Sequence, residues 1–452
     1  MFRLLPFVLV CLVLQFVSAS PLLPRANVQP PGKDTFYEPD NGWENEEPGA
    51  ILRTRKVELA FLQELNYKYH EAYELLYRTT GAYEKDPLTT VTTIIVPNNA
   101  KKDMLVDYNV YIDANGPQCV PSYTLRRGGQ LGNDLALTYQ QLLFTTLLDE
   151  GYVLTIPDYQ GPNQGFAVGR MEGRMAIDSV RATLNYGRLG LSKNTKVVGY
   201  GYSGGAIATG WAASLQPNYA PELNMMGWSM GGTPANLTGT VLNLDKGRVR
   251  WICRGWCSRS GSQGRITKEG QKAIDFARTH CMIDVLLRYP FRTLQSDAFV
   301  EDGARILYDP AITKITDTLV LGVNADEAPK APVYIFHGLH DEVIPFGDAL
   351  TAANRWADNG ADVKFEELQD LLMGHITSEL TNLPNVIMFI RDRMQGKSFP
   401  SGFTHTRVGN PLEDPNVIGQ GFESLVKVIA GFIESTFGFG DKKLINRIKQ
   451  ES

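Results

Sequence analysis

The sequence predicts an α/β fold in which a mostly parallel sheet carries helices on both faces. Short β-branched segments alternate with amphipathic segments from residue 91 to residue 230 and resume at residue 332, an order typical of parallel sheets. A second observation is the pattern Gly201-x-Ser203-x-Gly205, which joins a β-branched segment to a helix-like run of small residues. Catalytic groups in such sheets lie at the carboxyl ends of strands, so Ser203 is predicted to lie at a functional site.

Composition and the first residues narrow the classes of function and location. The chain has 452 residues and a formal charge of −5, and nothing in it suggests the basic face that nucleic-acid binding requires. Residues 1–19 contain Arg3, an apolar run from Leu4 to Val17 and a small-residue cleavage site at Ala19, which predicts a secretory signal peptide. No later stretch is long and apolar enough to span a bilayer. We therefore expect a secreted protein with no nucleic-acid partner and no integral membrane segment, and a monomer is the expected oligomeric state.

The predicted elements follow in a regular order. Residues 20–50 are rich in Pro, Gly, Asn and acidic residues without periodicity, so they are predicted to form an extended N-terminal arm. β-branched or apolar runs predict strands, and apolar residues on one side predict helices between them. The strands are at 91–96, 105–112, 152–156, 195–198, 225–230, 332–336 and 363–368, and the helices at 134–150, 176–184 and 205–215. Together they predict a core domain formed by residues 51–237 and 326–452.

Residues 238–325 interrupt the alternation between two strands of the sheet. An insert of this length is too long for a loop, so we predict that it forms a separate cap, or lid, over the site. Within it, residues 246–262 contain five basic residues, two Trp and two Cys but no acidic residue. We interpret this segment as a compensated frameshift or a wrongly set exon boundary in the gene model. A disulfide or metal clip formed by Cys253 and Cys257 is the alternative.

The serine pattern has a physical explanation. A serine held at a tight, strained corner between a strand and a helix projects its hydroxyl group, and flanking glycines avoid collisions in that turn. The N-terminus of the following helix then directs free backbone N–H groups toward the group that the serine attacks. Ser203 is therefore predicted to be a nucleophile, provided that an acid and a histidine accompany it.

Acyl transfer by a serine needs a histidine base and a carboxylate that orients it. Asp341 and Glu342 follow directly after the predicted strand 332–336, and Asp341 is favoured because the longer Glu342 side chain is expected to point outward. Of the histidines after this loop, His375 follows the strand 363–368 and a glycine, as a mobile, exposed base requires. His405 lies in a Pro/Gly/Thr-rich stretch with no predicted strand before it, so His375 is favoured.

These motifs resemble those of the fungal secretory lipase family, typified by lipase A of Candida antarctica. The residues that carry the resemblance are the serine turn at 201–206, the segment 152–159, the loop His337-Gly-x-x-Asp341-x-x-x-Pro345, and Gly374-His375-x-x-Glu379. The resemblance covers nearly all of the mature chain. It implies a cap-bearing α/β-hydrolase fold, activity on triacylglycerols and other carboxylic esters, and no cofactor.

The resemblance also implies roles for individual residues. Ser203 would be the nucleophile, Asp341 the acid and His375 the base, while the backbone N–H of Gly204 together with Asp113 would form the oxyanion hole. A turn residue that ends a strand is the alternative reading of Asp113. Cys119 and Cys281 would form the disulfide that joins the sheet domain to the cap. Independently, the sequon that begins at Asn236 predicts N-glycosylation.

The leading hypothesis is therefore a lipase with a lipid or ester substrate, an oil–water interface as a further partner, and no metal site. A short-chain carboxylesterase, an acyltransferase that uses an alcohol in place of water, and a peptidase are alternatives within the same chemistry. A hydrolase-fold binding protein without activity is the alternative from another class. If the protein is a lipase, we expect the acyl chain to lie beneath the cap, close to residues such as Ala304 and Ile306.

Overall fold

The computed structural model describes residues 28–61, 68–83, 85–129, 135–246, 266–289, 297–301, 303–413 and 417. Ten strands form one sheet in this part of the chain. They are β1 (Ile51–Val57), β2 (Glu71–Thr80), β3 (Pro87–Val96), β4 (Met104–Asn109), β5 (Val153–Pro157), β6 (Lys196–Tyr202), β7 (Met225–Gly231), β8 (Val333–Gly338), β9 (Val363–Leu368) and β10 (Phe403–Val408).

The sheet is parallel over most of its width. Its strand order is β1-β2-β3-β5-β4-β6-β7-β8-β9-β10. β4 to β10 run parallel, whereas β1, β2 and β3 add an antiparallel edge next to β5. From β4 the chain passes first to β5 on one side and then to β6 on the other. Sheets of this kind bind ligands in the crevice where the order reverses, which here lies beyond the ends of β4 and β6.

Helices cover both faces of the sheet, which explains why its central strands are buried almost throughout and mostly apolar. One face packs against α2 (Leu135–Asp149) and α10 (His375–Met394), and the opposite face packs against α3 (Gly169–Asn185), α4 (Gly204–Tyr219) and α9 (Phe346–Asp358). The alternation along β4 follows from strand geometry. Val106 and Tyr108 join one buried cluster, whereas Leu105 joins the other.

The described residues between β7 and β8 are mainly helical. They form α5 (Leu237–Lys246), α6 (Lys268–Thr279), α7 (Met282–Arg288) and α8 (Pro310–Thr316), while the short α1 (Pro121–Thr124) lies in the loop after β4. A disulfide joins Cys119, just before α1, to Cys281, just before α7, with 5.6 Å between their Cα atoms. The division into core and cap at residues 238 and 325 stays a prediction.

Several predicted features lie outside the described residues. They are the signal peptide at 1–19, the first part of the N-terminal arm, and most of the unusual segment at 246–262 with Cys253 and Cys257. The arm is described from residue 28 onward, and its described part contains only short 3-10 turns before β1. The side chains of Ala304 and Ile306 are likewise outside the described part of the structure.

The sheet has more strands than the sequence analysis predicted. β1, β2 and β10 were not expected. β2 is a continuous strand, but Glu74 breaks its apolar pattern; this residue is fully buried and pairs with Arg55 and Arg126. β10 is an edge strand of alternating partly buried residues and has no apolar run. In contrast, the predicted strand 105–112 ends at Asn109. The backbone N–H groups of Tyr111 and Ile112 bond to the side chains of Gln140 and Tyr159 and not to a neighbouring strand.

Candidate active site

Ser203 lies in the turn between β6 and α4, in a backbone conformation that is strained for any residue other than glycine. Its φ is 53° and its ψ is −121°, and its N–H donates to the carbonyl of Gly231 at 3.0 Å. The neighbouring glycines are required by close approach. A Cβ on Gly205 would overlap the backbone of Asn109, and a Cβ on Gly201 would overlap the carbonyl of Gly205. Strain of this kind is typical of functional sites.

The structure brings Ser203, His375 and Asp341 into one hydrogen-bonded chain. His375 Nε2 lies 2.8 Å from Ser203 Oγ, and His375 Nδ1 lies 2.7 Å from Asp341 Oδ2. An ionised carboxylate can only accept, so Nδ1 carries the proton and Nε2 is free to accept from the serine hydroxyl. This is the tautomer that a general base for Ser203 requires.

Asp341 lies in the acid loop, which we define as residues 339–345 after β8. Its Oδ1 accepts from the backbone N–H groups of Val343 and Ile344, both at 2.8 Å, and its side chain is completely buried. His337 Nε2 lies 3.4 Å from Asp341 Oδ2 and 3.2 Å from the carbonyl oxygen of Ile344. Burial alone would raise the pKa of Asp341, but the positive charge and hydrogen bond of His375 hold that pKa below its usual range.

The neighbouring carboxylates stabilise the protonated, positively charged form of His375. Burial lowers the pKa of His375, but the charge and hydrogen bond of Asp341, followed by the charges of Glu342 and Asp113, outweigh it and raise that pKa above its usual value. An imidazolium formed during a reaction would therefore be stabilised where it arises. Asp341 supplies the largest part of this stabilisation.

Two further residues hold the backbone of His375, and the sequence analysis missed both roles. Glu342 Oε2 accepts from the His375 N–H at 3.0 Å, so its carboxylate contacts the site even though the residue is exposed as expected. The Tyr202 hydroxyl donates to the His375 carbonyl at 2.5 Å, and the two rings are 5.2 Å apart. Adjacency to Asp341 and to Ser203 was the signal that could have identified Glu342 and Tyr202.

Asp113 and Gly204 lie together beside the serine. Gly204 is the first residue of α4, Asp113 follows β4 with a positive φ of 43°, and a Cβ on Gly204 would overlap Asp113 Oδ1. Burial raises the pKa of Asp113 to about 6, although the charge of His375 opposes this. The two residues thus border the space next to Ser203 Oγ, while their role as an oxyanion hole stays a prediction.

A narrow cavity of about 40 Å³ reaches Ser203. One helical stripe of α5, with residues spaced three and four apart, forms part of its lining together with Gly204. This stripe consists of Leu237, Thr240, Val241 and Leu244. Ligand pockets usually measure about 300–1,000 Å³, so the cavity as described is closed to a substrate of ordinary size. Entry of such a substrate would require α5 or a neighbouring segment to move.

Two other predicted residues lie away from this arrangement. His405 is part of β10, where its Nε2 lies 2.9 Å from Glu367 Oε2, and it makes no contact with the serine. Asn236 precedes α5, and its Oδ1 accepts from the Gly239 N–H at 3.2 Å, while its side chain also bonds that of Asp348. N-glycosylation of Asn236 stays a prediction.

The ranges that the structure describes contain neither a cluster of metal ligands nor a membrane-spanning helix. Within these ranges, no three histidine, cysteine or acidic side chains come together as metal ligands would. The helices described there are too short or too polar to cross a membrane.

The chain is similar to known secreted lipases over most of its length. A sequence profile described as secretory lipase matches residues 126–402. A secreted triacylglycerol lipase of Malassezia restricta is 53% identical, with 98% of this chain and 97% of that protein covered. A secreted triacylglycerol lipase of Malassezia furfur is 51% identical, with 81% of this chain and 98% of that protein covered.

Solved structures show a similar fold. The closed state of Candida antarctica lipase A matches with a TM-score of 0.80 and 27% identity, covering 92% of this chain and 99% of that one. A rice cell-wall-degrading esterase of Xanthomonas oryzae matches with a TM-score of 0.57 and 16% identity, covering 78% of this chain and 99% of that one, which is evidence about the fold alone.

Proposed function

Because the chain belongs to the secretory lipase family, we propose that it hydrolyses triacylglycerols through an acyl-enzyme intermediate on Ser203. The protein is a secreted ester hydrolase that acts on lipids, as its relatives are. The observation that carries the proposed mechanism is the continuous chain of hydrogen bonds from Ser203 through His375 to Asp341, with distances of 2.8 and 2.7 Å.

The first half of the reaction forms the acyl-enzyme. Ser203 Oγ attacks the ester carbonyl carbon while His375 Nε2 takes the hydroxyl proton, and Asp341 stabilises the resulting imidazolium. The carbonyl oxygen becomes an oxyanion, and the proposed oxyanion hole for it consists of the backbone N–H of Gly204 together with Asp113. The carbon–oxygen bond to the alcohol then breaks, and that alcohol leaves with the proton from Nε2.

The second half releases the fatty acid. A water molecule gives its proton to His375 Nε2 and attacks the acyl carbon, and Ser203 Oγ leaves with that proton. Activity needs a neutral His375, so it falls as the pH falls through the pKa of this residue. Because that pKa is raised above its usual value, the loss on the acid side begins at a higher pH than for an unperturbed histidine.

Single substitutions test the roles of the three residues on p-nitrophenyl esters of graded chain length. Ser203→Ala and His375→Ala should each lower kcat by roughly 10⁴-fold or more, and Asp341→Asn should do so by about 10⁴-fold because it reverses the histidine tautomer. His405→Ala is the matched control and should keep wild-type activity. If His405→Ala inactivated the enzyme and His375→Ala did not, the assignment of the base would be wrong.

The same assays separate the lipase from its alternatives. A lipase should hydrolyse emulsified long-chain triacylglycerols, a short-chain carboxylesterase only the short soluble esters, and an acyltransferase should form a new ester when an alcohol is supplied. Folded protein that turned over no ester would support the binding protein instead. A fluorophosphonate that labelled a residue other than Ser203 would refute the proposed nucleophile.

Adsorption at an oil–water interface is supported by exposed apolar side chains close to the site. Leu371 is 82% exposed and Leu372 is 46% exposed in the loop before His375, and Ile376 is 39% exposed directly after it. The double substitution Leu371→Asp and Leu372→Asp should weaken activity on emulsions and leave activity on a soluble ester unchanged. Equal losses on both substrates would contradict this use of the surface.

We expect the protein to be a monomer, which sedimentation analysis would test.

A further inference from the structure

Two consecutive carboxylates meet His375 at two different places. Asp341 bonds the ring at Nδ1 with 2.7 Å between the atoms, whereas Glu342 bonds the backbone N–H with 3.0 Å between the atoms. The ring contact is explained by the proposed mechanism. The backbone contact is not, because a backbone N–H takes no part in the transfer of the proton.

The backbone contact caps α10 from outside the helix. His375 is the first residue of this 20-residue helix, and Gly374 at the capping position has no side chain with which to bond the free N–H groups. Helix N-termini leave these groups without intrahelical partners, and Glu342 supplies one from the acid loop. Gly374 makes this possible, since a Cβ there would lie 2.7 Å from Glu342 Oε2.

The position of His375 is therefore held at three points besides its bond to Ser203. Asp341 holds the ring, Glu342 holds the backbone N–H, and Tyr202 holds the backbone carbonyl. Because Asp341 and Glu342 are neighbours in one loop, the same short segment holds both the ring and the backbone of the histidine. A shift of α10 relative to that loop would break both contacts together.

We propose that Glu342 is a positioning residue, which fixes the backbone of His375 and places a negative charge beside its ring. The charge matters because the positive end of the α10 dipole lies at His375 and opposes an imidazolium there. A carboxylate at the same helix end offsets that effect. This inference rests on the proposed function for its catalytic consequence, but the charge and the cap can be measured without turnover.

Other charged and titratable groups around His375 must be distinguished from Glu342. They come from the acid loop and β8, from the loop after β4, and from α10 itself, and they are Asp341, His337, Asp113 and Glu379. All four are unchanged by a substitution at position 342. Glu342 differs from them in being solvent-exposed, so salt should screen its charge much more than theirs.

The experiment compares Glu342→Gln, Glu342→Ala and the control Glu46→Gln, which alters an exposed carboxylate in the N-terminal arm. Glutamine keeps an oxygen that can accept from the His375 N–H but removes the charge, and alanine removes both. The pKa of His375 is read from the NMR signal of its ring Cε1–H, assigned by its absence in His375→Ala. The pH dependence of kcat/KM on p-nitrophenyl butyrate is measured alongside.

In Glu342→Gln the pKa of His375 and the acid limb of kcat/KM should both move down by about half a pH unit, the size expected of one screened charge near the ring. That difference from wild type should shrink in 1 M NaCl. Glu342→Ala should in addition lower kcat about fivefold with KM nearly unchanged, the factor that a lost helix cap of ordinary strength implies. Glu46→Gln should change none of these values.

Two results would overturn the proposal. One is a His375 pKa in Glu342→Gln that equals the wild-type value at low salt, and the other is an unchanged kcat in Glu342→Ala. If Glu342→Ala failed to fold, the isosteric glutamine variant would still decide the matter. A wild-type protein that hydrolysed no ester would refute the proposed function, while the NMR titration would still test the charge of Glu342.

Discussion

Replacing Leu244 by alanine should make Ser203 more reactive toward small covalent probes. Leu244 on α5 is 1% exposed and forms a small buried cluster with Val343 and Ile344 of the acid loop. The adjacent Asn243 donates to the Val343 carbonyl at 3.1 Å. These contacts hold α5 over the narrow cavity at the serine, and they are lost when α5 moves away. The substitution should therefore weaken the closed state and leave an open state almost unaffected.

The size of the effect follows from the contacts that are removed. Leu→Ala in a core costs about 2–5 kcal/mol, and a cluster of only three residues favours the lower end. A loss of about 2 kcal/mol from the closed state alone changes the ratio of open to closed molecules about 30-fold. If the closed state predominates in the wild type, the rate of labelling should rise by up to that factor.

The assay is the rate at which diethyl p-nitrophenyl phosphate releases p-nitrophenol on reaction with Ser203. Leu242→Ala is the matched control, because it makes the same deletion in the same helix but its side chain packs against a separate cluster that includes Ala273 and Phe299. The control should be labelled at the wild-type rate. Equal rates for wild type and Leu244→Ala would refute the view that this cluster holds the site closed, as would an equal acceleration in Leu242→Ala.

Three further outcomes are expected. Burial raises the pKa of Asp158 to about 8, so this carboxyl group binds a proton on folding between its unfolded pKa near 4 and about 8. Wild type should therefore lose stability relative to Asp158→Asn as the pH rises through that window, and a difference in Tm that did not vary with pH would contradict this. Cys281→Ser should cost about 5 kcal/mol of unfolding free energy in the chain-entropy picture, given the separation of 162 residues from Cys119. Peptide mapping without reduction should recover that pair, and a different partner for either cysteine would contradict it. Finally, Thr240→Phe fills the cavity beneath α5, and it should lower kcat/KM for long-chain esters roughly tenfold while butyrate esters react normally. Equal losses for both chain lengths would argue against an acyl site beneath α5.

The parallel part of the sheet could be predicted because its strands are buried on both faces and therefore stand out as apolar runs. The serine turn could be predicted for a related reason. At Gly201 and Gly205 other residues are excluded by collisions within a short segment, so the local sequence carries the whole constraint. Asp341 and His375 could be located because each follows a predicted strand, Asp341 in the loop after β8 and His375 at the end of the loop after β9.

The remaining features depend on contacts between distant segments. Glu74 breaks the apolar pattern by which β2 could have been predicted. Only the folded protein shows that Arg55 and Arg126 neutralise this carboxylate. Glu342 bonds a residue 33 positions later in the chain, and nothing in the local sequence sets the direction of its side chain. For the same reason, the spacing of Leu237 and Leu244 on one side of α5 indicates a buried helical face but not the cavity that it lines.

The disulfide between Cys119 and Cys281 has a consequence for the order in which the protein matures. Translation proceeds at roughly 5–20 residues per second, so the separation of 162 residues between the two cysteines takes about 8–32 s to synthesise. Cys119 is therefore made that long before its partner. If the segment 246–262 is translated as written, Cys253 and Cys257 precede Cys281 in the chain, so both emerge from the ribosome first and compete for Cys119. Thiol–disulfide exchange must then replace any wrong pair. The yield of secreted protein should therefore depend on the disulfide isomerase capacity of the host cell, even though one native bond joins the two segments.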